Sequence, residues 1–106
     1  MESDDLAIQA DRMAALGNEA RLSIIKLLLA ELPGELAAGE IGRRTDIPNS
    51  TLSHHLDRLR KEGLVCSRKE KQWVWYSADV ETLTDLVNFL YHDCCGGRDR
   101  AAGSGT

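Results

Sequence analysis

Residues 46–65 of the chain read DIPNSTLSHHLDRLRKEGLV, and this stretch predicts the fold around it. Asn49 is the predicted N-cap of a helix, because its side-chain oxygen can accept a hydrogen bond from a free amide of the first turn. Gly63 is predicted to end the helix as its C′ residue. Four residues recur at helical spacing and predict the inward face: Leu52, His55, Leu56 and Leu59.

The outward face of this helix carries short hydrogen-bonding side chains first and cations further along. Its residues are Ser50, Thr51, His54, Arg58 and Lys61, with Ser53 on the border between the two faces. A buried leucine stripe with small polar groups at its N-terminal end is typical of a helix that presses that end into the major groove of DNA. An ordinary amphipathic surface helix fits the same segment, so the flanking sequence decides between the two readings.

The charge of the chain is concentrated around this helix. The net charge of the 106 residues is −4, yet residues 43–71 hold eight Lys and Arg against four Asp and Glu, so this segment carries +4 and the remainder −8. A basic middle between acidic ends favours contact with phosphates. The predicted DNA contacts are Arg43, Arg44, Asn49, Ser50, Thr51, Ser53, His54, Arg58, Arg68, Lys69 and Lys71.

Length and composition predict one soluble domain, small enough to gain stability from dimerisation. The hydrophobic content is 42%, and the chain has no apolar run long enough to span a membrane. The acidic start, MESDDLAIQ, is neither a signal peptide nor a transit peptide. Three cysteines, at positions 66, 94 and 95, do not make a disulfide framework. We therefore expect a cytoplasmic protein with reduced thiols.

Apolar spacing and capping residues predict four further helices, at residues 5–16, 19–32, 36–45 and 80–94. The helix at 19–32, capped by Asn18, is expected to be nearly all core. The helix at 36–45 ends with Arg43 and Arg44, and the turn at 46–48 joins it to the DNA-facing helix, which makes a helix-turn-helix. The last helix is capped by Asp79. Its apolar side comprises Val80, Leu83, Leu86, Val87, Leu90 and Tyr91. No other part of the chain offers this side a partner, so we expect it to bury against a second subunit.

After Gly63 the sequence period changes from helix to strand, with strands predicted at residues 64–68 and 73–77 around the polar tip 69–72. A hairpin with a basic tip directly after such a helix is a wing, placed to touch DNA backbone or the minor groove. Trp73, Trp75 and Tyr76 are predicted to be packing residues, because aromatic side chains are common in half-buried strands. The predicted fold class is mainly α with a two-stranded β-hairpin, in a domain at residues 1–95 followed by a disordered Gly-rich tail at 96–106.

With these elements in place, the chain resembles the ArsR/SmtB family of metalloregulatory winged-helix repressors. The matching motifs are ALGNEARLSIIKLLL (15–29), STLSHHLDRLRKEGLV (50–65) and KQWVWYSA (71–78), in the right order with short connections. The resemblance implies an α-α-α-α-β-β-α homodimer, joined through its first and last helices, that releases operator DNA when an inducer binds.

The chain departs from two inducer sites of that family. Members that sense arsenite through the third helix carry Cys-x-Cys where this chain has Ala37 and Gly39, so that site is predicted to be absent. Other members bind zinc at the last helix, across the dimer. This chain offers Asp79, Glu81 and His92 there, but they do not align with the family's ligands.

The remaining inducer candidate is Cys94-Cys95, where some arsenite-responsive members have a vicinal cysteine pair. Two thiolates favour soft thiophilic ions such as trivalent arsenic, supplied as arsenite, methylarsenite or antimonite. Adjacent helical side chains point about 100° apart, so joint chelation requires the last turn to open, which Gly96 and Gly97 allow. Cys66 is expected to pack, and it could supply a third sulfur only if the hairpin base approaches the end of the last helix.

Four other functions are either left open or excluded by the residues. A thiol-based redox or persulfide sensor of the same fold is an alternative, as is a zinc- or cadmium-responsive member. A constitutive DNA-binding architectural protein would show no response to small molecules. An enzyme is not expected, because His54 and His55, the only candidates for a catalytic cluster with Asp57, fall on different faces of the helix.

Overall fold

The computed structural model describes residues 3–93, and the side chains of residues 5–91. The described helices are α1 (Ser3–Leu16), α2 (Glu19–Glu31), α3 (Ala38–Thr45), α4 (Asn49–Lys61) and α5 (Val80–Asn88). The strands are β1 (Leu36–Ala37), β2 (Val65–Glu70) and β3 (Trp73–Ala78). A π-helical turn, Phe89–Asp93, continues α5. This order is a winged helix-turn-helix, as the sequence predicts, whereas the tail at 96–106 lies outside the described residues.

The segment predicted as the start of the third helix is a short strand instead. Leu36 pairs with Tyr76 and Ala37 with Trp75, both antiparallel, so the sheet order is β1-β3-β2. The predicted two-stranded hairpin is therefore part of a three-stranded sheet. Leu36 and Ala37 are buried, and their extended backbone covers the edge of β3 that would otherwise expose unpaired amides.

The hairpin itself is longer than predicted, and its tip is shorter. Six residue pairs join β2 to β3, from Val65 opposite Ala78 to Glu70 opposite Trp73. Only Lys71 and Gln72 remain in the turn. Lys71 adopts a positive φ of 57°, which allows the chain to reverse in two residues.

The core lies between α2, α4 and the start of the sheet. Its fully buried side chains are Ile24, Leu28, Ile41, Leu59 and Leu64. The prediction that α2 is nearly all core is wrong, because Leu22, Leu29 and Leu32 are exposed on its other side. Helical spacing identified the inward residues Ile25 and Leu28 correctly, but α2 packs on one face only.

Capping residues set most of the helix ends as predicted. Asn18 Oδ1 accepts from the Arg21 amide at 3.0 Å, and Asp79 Oδ1 accepts from the Thr82 amide at 3.0 Å. Gly63, with φ 75°, ends α4 in a Schellman motif. Its amide donates to Arg60 O at 2.9 Å, and the Leu64 amide donates to Leu59 O at 2.9 Å.

The N-cap assigned to Asn49 is wrong by one residue. Pro48 holds the extended cap conformation (φ −59°, ψ 147°), and its carbonyl accepts from the Leu52 amide at 2.8 Å. Asn49 is thus the first helical residue, and no side chain of the described residues caps the start of α4. Proline fixes φ near the value that the cap position needs here.

Helices α1 and α5 pack together and leave apolar side chains exposed. Gln9 Nε2 donates to Asp85 Oδ2 at 3.2 Å, and Arg12 forms an ion pair with the same oxygen at 3.2 Å. The exposed apolar residues of the two helices and the turn after them are Leu6, Ile8, Met13, Val80, Val87, Leu90 and Tyr91. The prediction of an exposed apolar side on α5 is confirmed only in part, because Val80 and Val87 are exposed, whereas Leu86 is buried and Leu83 packs against the core. None of the helices in the described residues is long and apolar enough to cross a membrane.

Candidate nucleic-acid interface

Helix α4 is anchored on one side and open on the other. Leu52, Leu56 and Leu59 are at most 2% exposed and hold the helix against the core. Helix α3 approaches α4 closely at Gly42, because a Cβ there would lie 3.3 Å from Leu52 Cδ2, tighter than an ordinary contact. The helix-turn-helix is therefore a tightly packed pair, which fixes the direction in which α4 presents its outer face.

The N-terminal half of α4 brings together the side chains predicted to read bases. Asn49, Ser50, Thr51, Ser53 and His54 are all exposed. Hydroxyl, amide and imidazole groups offer both donors and acceptors for base edges in the major groove. The free amides of the first turn lie at the same end of the helix and favour phosphate.

The two arginines at the end of α3 are exposed but already paired. Arg44 Nε donates to Glu40 Oε2 at 2.7 Å, and Arg44 Nη1 forms an ion pair with Glu31 at 3.1 Å. Arg43 binds both oxygens of Glu40. These hydrogen bonds, first from Arg43 and then from Arg44, lower the pKa of Glu40 to about 2. The arginines must therefore exchange a carboxylate for a phosphate if they contact DNA.

The wing contains one paired and two unpaired cations among the described residues. Arg68 Nε donates to both oxygens of Glu35, at 2.9 and 3.1 Å, and Arg68 Nη1 lies 3.2 Å from Glu70. Lys69 and Lys71 are exposed, and no carboxylate of the described residues forms an ion pair with either. Arg58, on α4, has only a long contact of 3.9 Å to Glu62. Among the predicted DNA contacts, the cations with a long or no carboxylate contact in the described part of the chain are thus Arg58, Lys69 and Lys71.

The prediction that all three wing aromatics are packing residues is wrong for Trp73. Its side chain is 52% exposed, whereas Tyr76 packs on the core and Trp75 is half-buried. The Arg68 guanidinium lies 6.0 Å from the centre of the Trp75 ring. Trp73 follows the turn directly, where the core no longer reaches the sheet. Its position next to the turn of the hairpin, which is visible in the sequence, could have predicted that Trp73 is exposed close to the lysines of the wing.

The cysteines are placed only in part. Cys94 and Cys95 lie outside the described residues. Cys66 is exposed rather than packed, and its Sγ donates to Asp79 Oδ2 at 3.4 Å. Partial burial and the bond to Asp79 raise the pKa of the Cys66 thiol. Within the described part of the chain, no three His, Cys, Asp or Glu side chains converge as a metal site would require.

This geometry matches that of known regulators. The transcriptional activator HlyU of Vibrio cholerae is 42% identical over 82 residues, which cover 74% of this chain and 73% of that protein. The model of the family described as "Bacterial regulatory protein, arsR family" matches residues 18–67, from the cap of α2 into β2. The chain belongs to the arsR family. The residues of this arsR-family chain that the family model matches include the helix-turn-helix and the beginning of the wing.

Other arsR-family relatives extend the comparison to solved structures. The reduced form of Vibrio cholerae HlyU superposes with a TM-score of 0.65 at 37% identity, over 84% of this chain and 94% of that one. A homodimeric winged helix-turn-helix domain from Mycobacterium bovis gives a TM-score of 0.70 at 27% identity, over 93% and 92%. The putative arsenical resistance operon repressor of Halobacterium salinarum is 38% identical over 77 residues, 70% of this chain and 58% of that protein. The relatives are transcriptional regulators, so the chain is a transcriptional regulator and not an enzyme.

Proposed function

We propose that this regulator is a repressor that binds operator DNA as a homodimer and releases it when trivalent arsenic binds Cys94 and Cys95. The observation that carries the DNA part is the exposed N-terminal half of α4, held on a buried leucine stripe beside a wing with unpaired lysines. This arrangement allows base contacts from α4 and phosphate contacts from the wing on the same duplex.

The homodimer is supported by the apolar side chains that α1 and α5 leave exposed. Val87 and Tyr91 are 61% and 71% exposed, and Leu6 is 55% exposed. Such a patch is unfavourable in water unless a second surface covers it. The Mycobacterium bovis relative is a homodimer, and a two-fold axis through α1 and α5 would place two copies of α4 on two half-sites.

The choice of inducer follows from the donor atoms. Vicinal thiolates bind soft ions, and a monoalkyl arsenic needs only two of them. Cys66 is a poor third ligand within one chain, because it sits at Asp79, the first end of α5. Asp93, the last residue described before the pair, lies about 20 Å along the helix from Asp79 at 1.5 Å per residue. Methylarsenite therefore suits the pair of one chain better than arsenite does.

Contacts at the start and in the middle of α5 give such an inducer a route to the DNA-binding elements. The Asp79 amide donates to Leu64 O at 3.0 Å, which ties the start of α5 to the base of the wing. Asp85 is bound to Gln9 and Arg12 of α1. A rearrangement at the end of α5 can therefore move the wing and the dimer helices together. An inducer that lowers operator affinity a hundredfold must couple the two sites by about 2.7 kcal/mol.

The test is operator release measured by fluorescence anisotropy under reducing conditions. The probe is a labelled duplex selected in vitro from a random pool by the wild-type protein. We expect methylarsenite, arsenite or antimonite to release the wild type. The double variant Cys94→Ser/Cys95→Ser should bind equally well without inducer and stay bound when it is added. Cys66→Ser is the matched control and should respond like the wild type.

Three outcomes would contradict all or part of this proposal. Continued release of the double variant would exclude the vicinal pair as the sensor. Failure of the double variant to bind DNA at all would assign the pair to the structure of the protein instead. If neither the wild type nor any variant selects a duplex, the DNA-binding part of the proposal is wrong.

A thiol-based redox or persulfide sensor is the second candidate. A structure of the relative HlyU that is described as reduced favours this candidate. Peroxide or persulfide would then release the operator, and reductant alone would restore binding. If trivalent arsenic still releases the operator in the presence of excess monothiol reductant, the result supports the first candidate over the second. Added zinc and cadmium test the remaining alternative, a regulator that responds to divalent ions.

A further inference from the structure

The side chain of Arg21 on α2 contacts both α1 and α4 and so connects three helices. Arg21 lies in the first turn of α2, and its Nε donates to the Ala15 carbonyl of α1 at 2.6 Å. Its Nη1 lies 3.1 Å from His55 Nδ1 on α4. The Ala15 carbonyl belongs to the last turn of α1, where helical carbonyls lack partners, so Arg21 satisfies it. The same guanidinium thereby attaches α4 to the junction of α1 and α2.

The bond between Arg21 and His55 exists in only one protonation state of the imidazole. A guanidinium has donors and no acceptor, so His55 Nδ1 must be the acceptor and the ring proton sits on Nε2. A protonated imidazole has no acceptor left, and it would place a second positive charge 3.1 Å from Arg21. Proton uptake therefore breaks the contact and replaces it with repulsion.

The surroundings of His55 all favour its neutral form. Burial lowers the pKa of His55 most, followed by the charge of Arg21 on α2 and of His54 on its own helix. Helix α1 presents the Ala15 carbonyl, which Arg21 already holds. In the described part of the chain, α3 and β2 also pack on α4 but contribute no charge that acts on His55.

We propose that Arg21 and His55 are positioning residues for operator binding. Neutral His55, held through Nδ1 by Arg21, fixes α4 against the α1–α2 junction, and operator affinity falls when His55 is protonated. This inference rests on the proposed contact between α4 and DNA. It adds a proton-sensitive attachment of the DNA-facing helix to α1, one of the two helices proposed above to form the dimer interface.

The sign and size of the effect follow from the lowered pKa. The unfolded chain takes up the His55 proton near pH 6.5, whereas the folded chain resists until lower pH, so the contribution of the pair is present above 6.5 and is lost as pH falls. Below the folded pKa, the fraction with neutral His55 falls about tenfold per pH unit. A dimer carries two such pairs, so its operator affinity can fall up to about a hundredfold per unit.

His54 supplies the matched control because it is the neighbouring histidine on α4 but lies on the outer face of the helix, where it is exposed. His54→Gln removes an imidazole proposed to contact a base and should bind more weakly at every pH. It should nevertheless keep the fall of affinity at low pH, because it leaves the Arg21–His55 bond in place. His55→Gln keeps a neutral acceptor for Arg21 at every pH and should bind well with the fall removed.

The experiment measures the affinity for the selected duplex by anisotropy from pH 8 to 5, at constant ionic strength. It compares the wild type, His54→Gln, His55→Gln and Arg21→Met. Arg21→Met should bind weakly across the range, because it loses both bonds of the guanidinium. Circular dichroism and sedimentation confirm that each variant is folded. A ¹⁵N spectrum of the histidine rings at pH 7.5, without DNA, should show His55 as the Nε2–H form.

The outcomes separate this inference from the proposed function. A wild type that does not bind any duplex at pH 7.5 overturns the DNA-binding proposal, while the ring spectrum still tests the Arg21–His55 bond. A wild type that binds, together with an unchanged pH profile in His55→Gln, overturns the positioning role. A folded Arg21→Met variant that binds like the wild type overturns it as well.

Discussion

Glu35→Gln is expected to tighten DNA binding, because Glu35 holds the arginine of the wing. Arg68 is 52% exposed at its side chain and donates to both oxygens of Glu35. An exposed pair of this kind is worth about 0–1 kcal/mol, so its loss should leave the free energy of unfolding nearly unchanged. The freed guanidinium could then bind a phosphate, one in each protomer of a dimer.

The magnitude follows from counterion release. Each added phosphate contact steepens the dependence of log affinity on log salt by about 0.9, so two contacts add about 1.8. At 0.1 M salt this corresponds to an affinity gain of up to about sixtyfold, and to about eightfold if half of the charge is freed, because Glu70 stays near Arg68. Anisotropy titrations at several salt concentrations measure both quantities.

Glu19→Gln is the matched control for this change. It removes the same charge from an exposed position that forms no ion pair with any described residue. The double variant Glu35→Gln/Arg68→Gln should lose the gain. An unchanged salt slope in Glu35→Gln would refute the reasoning and would restrict Arg68 to holding the wing against residue 35.

Two further predictions concern α4. Ser53→Ala or His54→Ala should reduce the discrimination between the selected duplex and random DNA by about 1–3 kcal/mol per lost base contact, measured by competition binding; equal losses on both DNAs would assign these side chains to phosphate. Gly63→Ala should lower the free energy of unfolding by about 1–2 kcal/mol, because residue 63 has a φ of 75°, which is strained for any residue with a Cβ. The added methyl group should meet no steric clash, since its nearest neighbour would be Thr82 Oγ1 at 3.8 Å. Urea titration measures this loss, and an unchanged midpoint would show that the helix end relaxes.

Local chemistry predicted the helix ends better than it predicted burial. Asn18, Gly63 and Asp79 act within three residues of their own position, so the sequence alone identifies their roles. The burial of α2 depends on which elements lie around it. Leu22 and Leu29 have helical spacing like that of core residues, yet no element of the described chain covers them. The pairing of Leu36 with Tyr76 is likewise a long-range contact that helical periodicity cannot reveal.

In the candidate interface, too, local features could be predicted from the sequence and long-range contacts could not. The exposed face of α4 followed from spacing, because its leucine stripe is local. The partner of His55 did not, since Arg21 is 34 positions away in sequence. His55 was assigned to the inward face correctly, but the sequence gives no sign of the arginine beneath it.

Charge counting gives an incomplete picture of the positive charge in residues 43–71. Of the eight Lys and Arg in residues 43–71, only Lys69 and Lys71 have no carboxylate partner among the described residues. Three of the partners, Glu31, Glu35 and Glu40, precede the segment in sequence and so were not counted with it. Exposed pairs cost little to break, and each DNA phosphate offers a full negative charge in place of a carboxylate. We therefore expect DNA phosphates to compete with these carboxylates for the paired arginines. The released carboxylates should weaken binding to all sequences alike, so that base contacts with α4 are needed for tight binding.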